Sequence, residues 1–385
     1  MKRVILCSPI FDFDKKRFTI GGIQTYIRDL ADVCLKNNIS VILAQMKDEY
    51  LCYDETVVDG IKIEKYPSIM KFGKFQFQAV FNKIYDKYND KNSVFIIDTD
   101  QRDIKSSKKN VITIQHGIAF DIPGNMIGGF WGKYDILQKI NKLLRCIKNV
   151  GRLSNTENVV CVDYNYYNWF RTLGTIRNNV TVIPNYSSGC ISEEELKIKI
   201  KERSYPLHII FARRFVEYRG TVIFTNVIKK LYSEGFEFYV TFSGAGPLLN
   251  NVKNVFSDNN RVSFTSFDAR ESIEFHKQFD ISVIPTIYSE GTSLSLAEAM
   301  SSGCIPIATH VGGMTNMILD KYNGFLCSPT ENDLYCVMKK ILNTPIVELN
   351  KISRNAYFSA TEAFSKQRWG EKWIEFLDQI FESLK

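Results

Sequence analysis

Two arginines in the second half of the chain are spaced in a way that suits a diphosphate. Arg214 and Arg219 are five positions apart in a loop that follows an apolar run. Two fixed guanidinium groups can neutralise a diphosphate and stabilise it as a leaving group. Taken alone, the pair is also typical of a solvated basic turn, which is the commoner interpretation of such a segment.

Two glutamates further along the chain add groups that could hold hydroxyls. Glu290 precedes a predicted helix, and Glu298 follows eight residues later, about two turns along and on nearly the same face. Glu298 stands among apolar residues, and a buried carboxylate needs partners such as the paired hydroxyls of a ribose. A helix-capping residue followed by a solvated helix residue is the alternative interpretation.

Small residues accompany both pairs. Gly244 and Gly246 form a turn after an apolar run, and Thr292, Ser293 and Leu294 open the helix that contains Glu298. Backbone N–H groups at a helix start, or beside glycines, can approach phosphate oxygens closely. Plain turns use the same glycines, so this motif is weak by itself.

The elements that must position these residues alternate along the chain. Short β-branched runs are followed by longer amphipathic segments, which predicts βαβ units and two doubly wound parallel sheets. Open sheets of this kind bind ligands at the carboxyl ends of their strands. The predicted strands are 4–8, 40–44, 94–98, 111–115, 159–162, 207–211, 238–242, 262–264, 281–284 and 305–308.

The first half offers fewer candidates. Gly21 and Gly22 precede an amphipathic helix, which is consistent with a phosphate-facing helix start or with a simple turn. His116 directly follows the predicted strand 111–115. A histidine in that place is more often structural than catalytic, so the residues alone leave its role open.

The whole set resembles the family-four retaining glycosyltransferases of the GT-B fold, and the match spans nearly the whole chain. Its anchors are Gly21-Gly22, His116-Gly117, Ile183-Pro184-Asn185, Arg214 to Gly220, Gly244 to Pro247, Glu290 with Glu298, and Val311-Gly312-Gly313. The resemblance implies two Rossmann-like domains that face each other across a cleft. We expect an acceptor domain at 1–185, a nucleotide-sugar domain at 186–365, and a helix at 366–385 that packs back on the first domain.

The resemblance also implies roles. Arg214 and Arg219 would bind the donor diphosphate, Glu290 the donor-sugar hydroxyls, and Glu298 the nucleotide ribose. The amides of Thr292, Ser293 and Leu294 would lie beside the phosphates and sugar. Gly22, with Gly21, would approach the phosphate from the other domain, and His116 would face the reacting sugar. The expected reaction is the retaining transfer of a sugar from a nucleoside diphosphate sugar, without a metal.

Three residues depart from the family pattern. Arg213 stands where a Gly usually precedes the arginine, Tyr186 replaces the Gly after Pro-Asn, and Ser266 replaces a common Gly. In addition, Arg219 stands where the family usually has Lys. These departures put base recognition and loop geometry in doubt and leave the expected reaction in place.

One further motif suggests a metal. Asp98-Thr99-Asp100, at a predicted strand end, looks like the D-x-D pair that chelates a divalent ion in a different glycosyltransferase fold. The arginine pair already supplies the neutralising charge, so we interpret the motif as a solvated strand end.

Basic and apolar residues also suggest a lipid surface. The segment 133–148 carries Ile136, Ile140, Leu143 and Ile147 on one stripe among lysines and an arginine, and Phe130 and Trp131 precede it. A second basic, aromatic patch lies at 71–75. Such a helix can rest on anionic lipid, but we slightly favour an ordinary helix that packs its stripe on the sheet. We expect a glycan or polyprenyl-diphosphate-linked acceptor.

Composition narrows the class of protein. The chain has 385 residues and a formal charge of +7, which favours anionic partners. No apolar run approaches the ~20 residues of a membrane span, and the first residues do not resemble a signal peptide. We therefore expect a cytoplasmic protein, with peripheral binding to the inner face of the cytoplasmic membrane as an open alternative. The arginines lie in turns, not along one face, which argues against nucleic acid.

Other functions stay open. We expect the pathway to be the synthesis of a bacterial surface glycan, such as O-antigen, capsule or lipopolysaccharide. A sugar-nucleotide epimerase of the same fold, or a non-catalytic sugar-nucleotide-binding protein, would share the donor site. A nicotinamide dehydrogenase is disfavoured because Gly21-Gly22 lacks the G-x-G-x-x-G spacing.

Overall fold

The computed structural model describes residues 1–19, 21–118, 120, 134–173 and 179–385. The chain divides into two compact units. The first unit comprises Met1–His116, Asn141–Ile183 and Gly370–Lys385, and the second comprises Gly117–Ile140 and Pro184–Trp369. No helix in the described ranges is long and apolar enough to cross a bilayer.

The first unit is built around a predominantly parallel sheet. Its strands are β1 (Arg3–Cys7), β2 (Phe11–Asp12), β3 (Arg17–Phe18), β4 (Ser40–Met46), β5 (Asp54–Val58), β6 (Ile61–Tyr66), β7 (Met70–Lys71), β8 (Lys74–Phe75), β9 (Ser93–Ile97), β10 (Val111–Gln115), β11 (Asn158–Cys161) and β12 (Asn179–Val182). The order of the main sheet is β12-β11-β10-β9-β1-β4-β6-β5, and β5 pairs antiparallel with β6. Two small antiparallel hairpins, β2-β3 and β7-β8, lie outside it.

Continuous apolar runs explain the centre of this sheet. Strands β1, β9 and β10 are covered on both faces, as parallel strands require, and residues such as Ile5, Phe95 and Ile112 are fully buried. Helices α1 (Gly22–Lys36), α2 (Phe77–Tyr88) and α4 (Tyr164–Leu173) belong to this unit. Helix α3 (Asp135–Gly151) begins in the residues of the second unit and continues in the first.

The last helix, α12 (Lys366–Ser383), contributes its residues from Gly370 onward to the first unit. There the Nε1 of the buried Trp373 donates to the hydroxyl of Tyr26 at 2.9 Å. A buried indole N–H needs such an acceptor, so this bond satisfies it while the ring fills the core.

The second unit is a parallel sheet with helices on its faces. Its strands are β13 (Leu207–Ala212), β14 (Phe238–Ser243), β15 (Val262–Thr265), β16 (Ile281–Ile284), β17 (Ile305–Thr309) and β18 (Phe325–Cys327), in the order β15-β14-β13-β16-β17-β18. Its helices are α5 (Glu193–Glu202), α6 (Thr221–Ser233), α7 (Leu249–Val255), α8 (Ser272–His276), α9 (Leu294–Ser301), α10 (Glu331–Leu342) and α11 (Ile346–Ala363). The rings of Phe211, Phe224 and Phe242 meet in its core at centroid distances of 5.3 to 5.7 Å.

The strand order places a ligand site before any side chain is considered. Strand β13 lies between β14 and β16, so the chain proceeds in one direction from β13 to β14 and in the other to β16. Loops that leave the carboxyl ends of β13 and β16 therefore part from each other and open a crevice. The predicted α/β class and the doubly wound sheets are confirmed.

Two interpretations of side chains in the first half are wrong. Asp98 and Asp100 are not a solvated strand end, because they are only 2% and 7% exposed. Asp98 accepts a bond from Ser8 at 2.7 Å and two from Arg102 at 2.5 and 2.8 Å. These partners, which a strand-end motif does not reveal, allow the carboxylate to be buried.

The apolar stripe of α3 is not packed on a sheet. Ile136, Ile140, Leu143 and Ile147 are between 41% and 63% exposed, and the buried residues of the helix are Cys146 and Val150. The preferred interpretation of an ordinary packed helix is therefore wrong. Phe130, Trp131 and Lys133 lie outside the described residues.

Candidate functional site

The centre of the site in the second unit is a buried ion pair at the switch point. Arg213 directly follows β13, and Glu290 lies in the loop after β16. The Nη2 of Arg213 donates to Oε2 of Glu290 at 2.6 Å, and their side chains are 5% and 12% exposed. Arg219 also donates to Oε2 of Glu290. Two loops that start from adjacent strands thus meet through charge.

Both guanidinium groups converge on the same oxygen of Glu290. Oε2 accepts from Arg213, Arg219 and the hydroxyl of Thr286, whereas Oε1 has no hydrogen-bond partner among the described residues. Burial would raise the pKa of this carboxyl, but the two arginines outweigh it and hold the pKa below its ordinary value. Glu290 is therefore an ionised acceptor with one oxygen available.

The neighbouring arginines differ in how firmly they are held. Arg213 also donates to Thr286 at 3.0 Å and to Ser293 at 3.3 Å. Arg219 is 24% exposed, and its guanidinium lies over the ring of Tyr218 at 5.1 Å. Arg214 is exposed and has no side-chain partner in the described part of the chain. The structure thus brings Arg219 to Glu290 and leaves Arg214 directed to solvent.

The glycines after β14 have a packing role. Gly244 and Gly246 have φ of 138° and 154°, and a Cβ on either would clash with the main-chain oxygens of Arg213 and Phe215. The amide of Phe215 also donates to the oxygen of Ala245 at 2.9 Å. Close approach of two backbones therefore requires both glycines, and they shape the loop that carries the arginines.

The glycine turn after β17 packs on Glu290 itself. Gly312 has φ of 52°, and a Cβ there would clash with the main-chain oxygen of Glu290, which accepts from the amide of Gly313 at 3.2 Å. Ser289, just before Glu290, also has a positive φ of 57°. A non-glycine residue pays a conformational cost in this region, and such strain collects at functional sites. The Glu290 backbone is therefore fixed from both sides.

Helix α9 starts later than the glutamate spacing suggested. It begins at Leu294, so Glu290 lies four residues before it, and the prediction that both glutamates lie on nearly the same helix face is wrong. No described side chain caps this helix start, and its first turn carries no acidic residue. Amide groups at the start of α9 are consequently available to an anion.

Asn185 holds the segment before α9 and was not assigned a role from the sequence. Its main-chain N–H donates to the hydroxyl of Thr292 at 2.7 Å, and its side-chain Nδ2 donates to the main-chain oxygen of Thr292 at 2.5 Å. Thr292 and Ser293 are 1% and 2% exposed. The Pro-Asn motif, read only as a family anchor, thus fixes the loop that leads into the helix.

Glu298 is held by two serines. The hydroxyl of Ser272 donates to its Oε2 at 2.7 Å, and that of Ser188 donates to its Oε1 at 3.1 Å. Ser272 is buried, and its hydroxyl also lies 3.3 Å from Nδ1 of the buried His276. The carboxylate is partly buried and oriented, which suits an acceptor for hydroxyl groups.

The candidates of the first unit lie at its own strand ends. His116 follows β10, and its ring contacts that of Tyr26 at a centroid distance of 4.9 Å. Burial lowers the pKa of His116 to about 4, against an opposing effect of Asp98, so the ring is neutral at pH 7. Its Nε2 has no hydrogen-bond partner within the described ranges.

Gly22 begins α1, and Gly21 is the N-cap residue before it. A Cβ on Gly21 would meet the side chain of Gln24, whereas a Cβ on Gly22 would meet no atom within 4 Å in the described residues. Packing among the described residues therefore does not require glycine at 22.

Two doubly wound sheets, with a cation-rich crevice at the switch point of the second, define an α/β enzyme of the GT-B fold. Residues 192–358 match the family model described as "Glycosyl transferases group 1". This segment contains Arg213, Arg214, Arg219 and both glutamates of the site.

Similar proteins agree with this class. An uncharacterised glycosyltransferase of Methanocaldococcus jannaschii is 24% identical over 380 residues, which is 95% of each chain. Sucrose-phosphate synthase from Thermosynechococcus elongatus has a TM-score of 0.75 at 14% identity over 100% of both chains. Anabaena HepE in complex with UDP has a TM-score of 0.67 at 14% identity over 98% of this chain and 100% of that one. The comparisons support a glycosyltransferase as the class of enzyme, and the segment 192–358 is similar to the group 1 family.

Proposed function

We propose that this protein is a retaining glycosyltransferase that moves a sugar from a nucleoside diphosphate sugar to a glycan or lipid-linked acceptor. The observation that carries the proposal is the crevice in which two arginines, Arg213 and Arg219, bind an ionised carboxylate with one available oxygen. Its chemistry suits a sugar diphosphate, and HepE, of similar fold, has been seen with UDP. Retention of configuration rests on the family resemblance.

We assign each residue of the site to the part of the donor that its chemistry suits. Arg214 and Arg219 neutralise the departing diphosphate, together with the amides at Thr292, Ser293 and Leu294. Oε1 of Glu290 accepts from a sugar hydroxyl, and Glu298 accepts from the ribose hydroxyls. The acceptor oxygen bonds to the anomeric carbon on the face from which the diphosphate departs, and a departing phosphate oxygen receives the acceptor proton, so the step needs no separate protein base. This set of side chains needs no metal to neutralise the diphosphate.

In the first unit, Gly21 and Gly22 offer the start of α1 to the donor phosphate. The neutral His116 offers its Nε2, which has no hydrogen-bond partner among the described residues, to the reacting sugar. Because its pKa is near 4, we expect it to act as an acceptor throughout the physiological range.

The donor site is tested by thermal unfolding with UDP, GDP, ADP, CMP and dTDP and their sugars, with and without EDTA. We expect one diphosphate to raise the midpoint selectively, with EDTA present or absent, because arginines supply the charge. Glu298→Ala should remove most of that shift, since two ribose hydroxyls lose an acceptor worth about 1.5–3 kcal/mol. Glu348→Ala, at an exposed glutamate of α11, is the matched control. Absence of any shift in the wild-type protein would contradict the donor site.

Product analysis separates transfer from two other functions. Formation of an epimer from the donor without any acceptor would indicate an epimerase of the same fold. Donor binding with no turnover in any acceptor mixture would indicate a non-catalytic binding protein. Transfer to a polyprenyl-diphosphate-linked glycan is the expected result for an enzyme of O-antigen, capsule or lipopolysaccharide synthesis.

We further propose that the protein works at the inner face of the cytoplasmic membrane. The exposed stripe of α3 is flanked by Lys139 and Lys148, and Phe72 is 92% exposed at the tip of the β7-β8 hairpin between Lys71 and Lys74. Uncovered apolar residues bordered by cations match the boundary between anionic headgroups and acyl chains. This location suits an acceptor that is itself a lipid.

Liposome flotation tests the membrane proposal. We expect binding to vesicles with anionic lipid, little binding to neutral vesicles, and loss of binding at high salt. Replacing Leu143 and Ile147 with Ser should weaken binding by about 100-fold or more, because each buried apolar side chain contributes roughly 1.5–3 kcal/mol. Val347→Ser, at a residue 79% exposed on α11, is the control. Equal binding of the wild-type and double variants would contradict a role for α3.

A further inference from the structure

Arg213 is the residue of the site that neither the expected roles nor the family pattern explains. It stands where the family that the sequence resembles usually has glycine, yet its side chain lies against Glu290 and is 5% exposed. We propose that Arg213 is a positioning residue that stays with Glu290 as its counter-ion while the donor diphosphate draws Arg219 away. The proposal rests on the proposed function, because it assigns Arg219 to the diphosphate.

The contacts of the two arginines differ as this exchange requires. Arg213 is held by Glu290, Thr286 and Ser293, so its guanidinium has a fixed position among buried acceptors. Arg219 has Glu290 as its hydrogen-bond acceptor in the described residues and lies partly in solvent. An incoming diphosphate offers Arg219 two negative charges in place of one shared carboxylate oxygen. Arg219 can therefore move to the ligand at low cost, whereas Arg213 cannot.

The exchange leaves Glu290 with a cationic partner when Arg219 moves to the diphosphate. A buried carboxylate that loses its last cation carries a large desolvation penalty and tends to take up a proton. A protonated Glu290 would be a weaker acceptor for a sugar hydroxyl. Because Arg213 remains, Glu290 stays ionised in the donor complex. Arg213 also binds Oε2 and so turns Oε1, the oxygen without a described partner, toward the sugar.

Steady-state kinetics of Arg213→Gln and Arg213→Lys test this role. We expect Arg213→Gln to lower kcat at least tenfold while the affinity for the nucleoside diphosphate alone changes less than threefold. The acidic limb of its kcat profile between pH 5 and 8 should move to higher pH, and Arg213→Lys should restore the wild-type profile in part. In a Glu290→Gln background, Arg213→Gln should lower kcat less than twofold further. An unchanged pH profile, or full additivity with Glu290→Gln, would overturn the proposal.

Unfolding measurements without nucleotide test the charge exchange independently of catalysis. If Arg213 and Arg219 are alternative counter-ions, Arg219→Gln alone should shift the unfolding midpoint little. The same change in an Arg213→Gln background should lower the midpoint much more, because Glu290 then has no cation. Arg354→Gln, at an exposed arginine of α11, is the control. Equal effects of Arg219→Gln in both backgrounds would overturn the exchange, whether or not a donor has been found.

Discussion

Glu290→Gln is expected to lower sugar transfer by about 100- to 1,000-fold, the scale seen when one preorganised polar group of an active site is removed. The same change should lower the free energy of unfolding by about 3 kcal/mol at pH 7, because Arg213 is left buried without its anion. The amide keeps the shape of the carboxylate, so lost volume does not explain either effect. Kinetics and urea unfolding on the same preparations provide the measurement.

The pH dependence of this difference has a defined sign. The folded-state pKa of Glu290 is held below its ordinary value by Arg213 and Arg219. Its contribution to stability is therefore complete above the unfolded value of about 4.3 and disappears as the pH falls through the lower folded value. The gap between wild type and Glu290→Gln should be constant above about pH 5 and should narrow below pH 4. A gap that widens in acid would mean that Glu290 is buried in its protonated form.

Glu348→Gln is the matched control, since Glu348 is exposed. We expect it to alter neither transfer nor unfolding measurably. If Glu290→Gln transfers sugar as fast as wild type, the sugar hydroxyl is held by another group, and the assignment of Oε1 fails.

The centre of the fold could be predicted because burial alone fixes it. Strands β10 and β16 have the predicted bounds, since each is an apolar run that ends in polar or turn residues. The antiparallel hairpin of β5 and β6 was missed, although Asp59 and Gly60 between them both have positive φ. An Asp-Gly pair between alternating residues is a strong hairpin signal, and it predicts an antiparallel pair that the pattern of βαβ units does not include.

The residue types of the site could be predicted from the sequence, but the directions of their side chains could not. Arg213 was read only as a departure from a glycine, yet Phe211 and Arg213 are both buried while Arg214 is exposed. Both arginines follow the end of β13, a central parallel strand with three consecutive buried residues, so no alternation in the sequence predicts which of them turns toward the interior. The presence of Glu290 beside Arg213 depends on a neighbouring strand, and the sequence of a single segment cannot reveal it.

Whether a side chain is buried or exposed also depends on segments that are distant in the sequence. The sequence shows the stripe of α3, but whether other residues cover it is decided by the packing of the whole chain. The same holds for Asp98, whose burial depends on Ser8 at another strand end. Local patterns therefore predicted which groups were unusual, and only the assembled fold decided whether they were buried.

Removing both arginines that we assign to the diphosphate should have the second large effect. The double variant Arg214→Ala with Arg219→Ala should lower kcat by about 1,000-fold or more, because the leaving diphosphate loses two charge-assisted contacts. The single variants should separate binding from stability. Arg214→Ala should weaken nucleoside diphosphate binding without changing the unfolding midpoint, because Arg214 is exposed and has no described partner. Calorimetric titration and thermal unfolding measure the two quantities.

Arg219→Lys distinguishes charge from shape at the second position. The family that the sequence resembles usually has Lys there, and an ammonium group can neutralise a phosphate as a point charge although it lacks the planar fork of Arg. We therefore expect Arg219→Lys to transfer sugar within about tenfold of wild type, whereas Arg219→Ala falls much further. If Lys and Ala are equally damaging, Arg219 acts through its bidentate geometry and not through charge. If neither change slows transfer, the diphosphate is neutralised elsewhere, and the crevice between β13 and β16 is not its site.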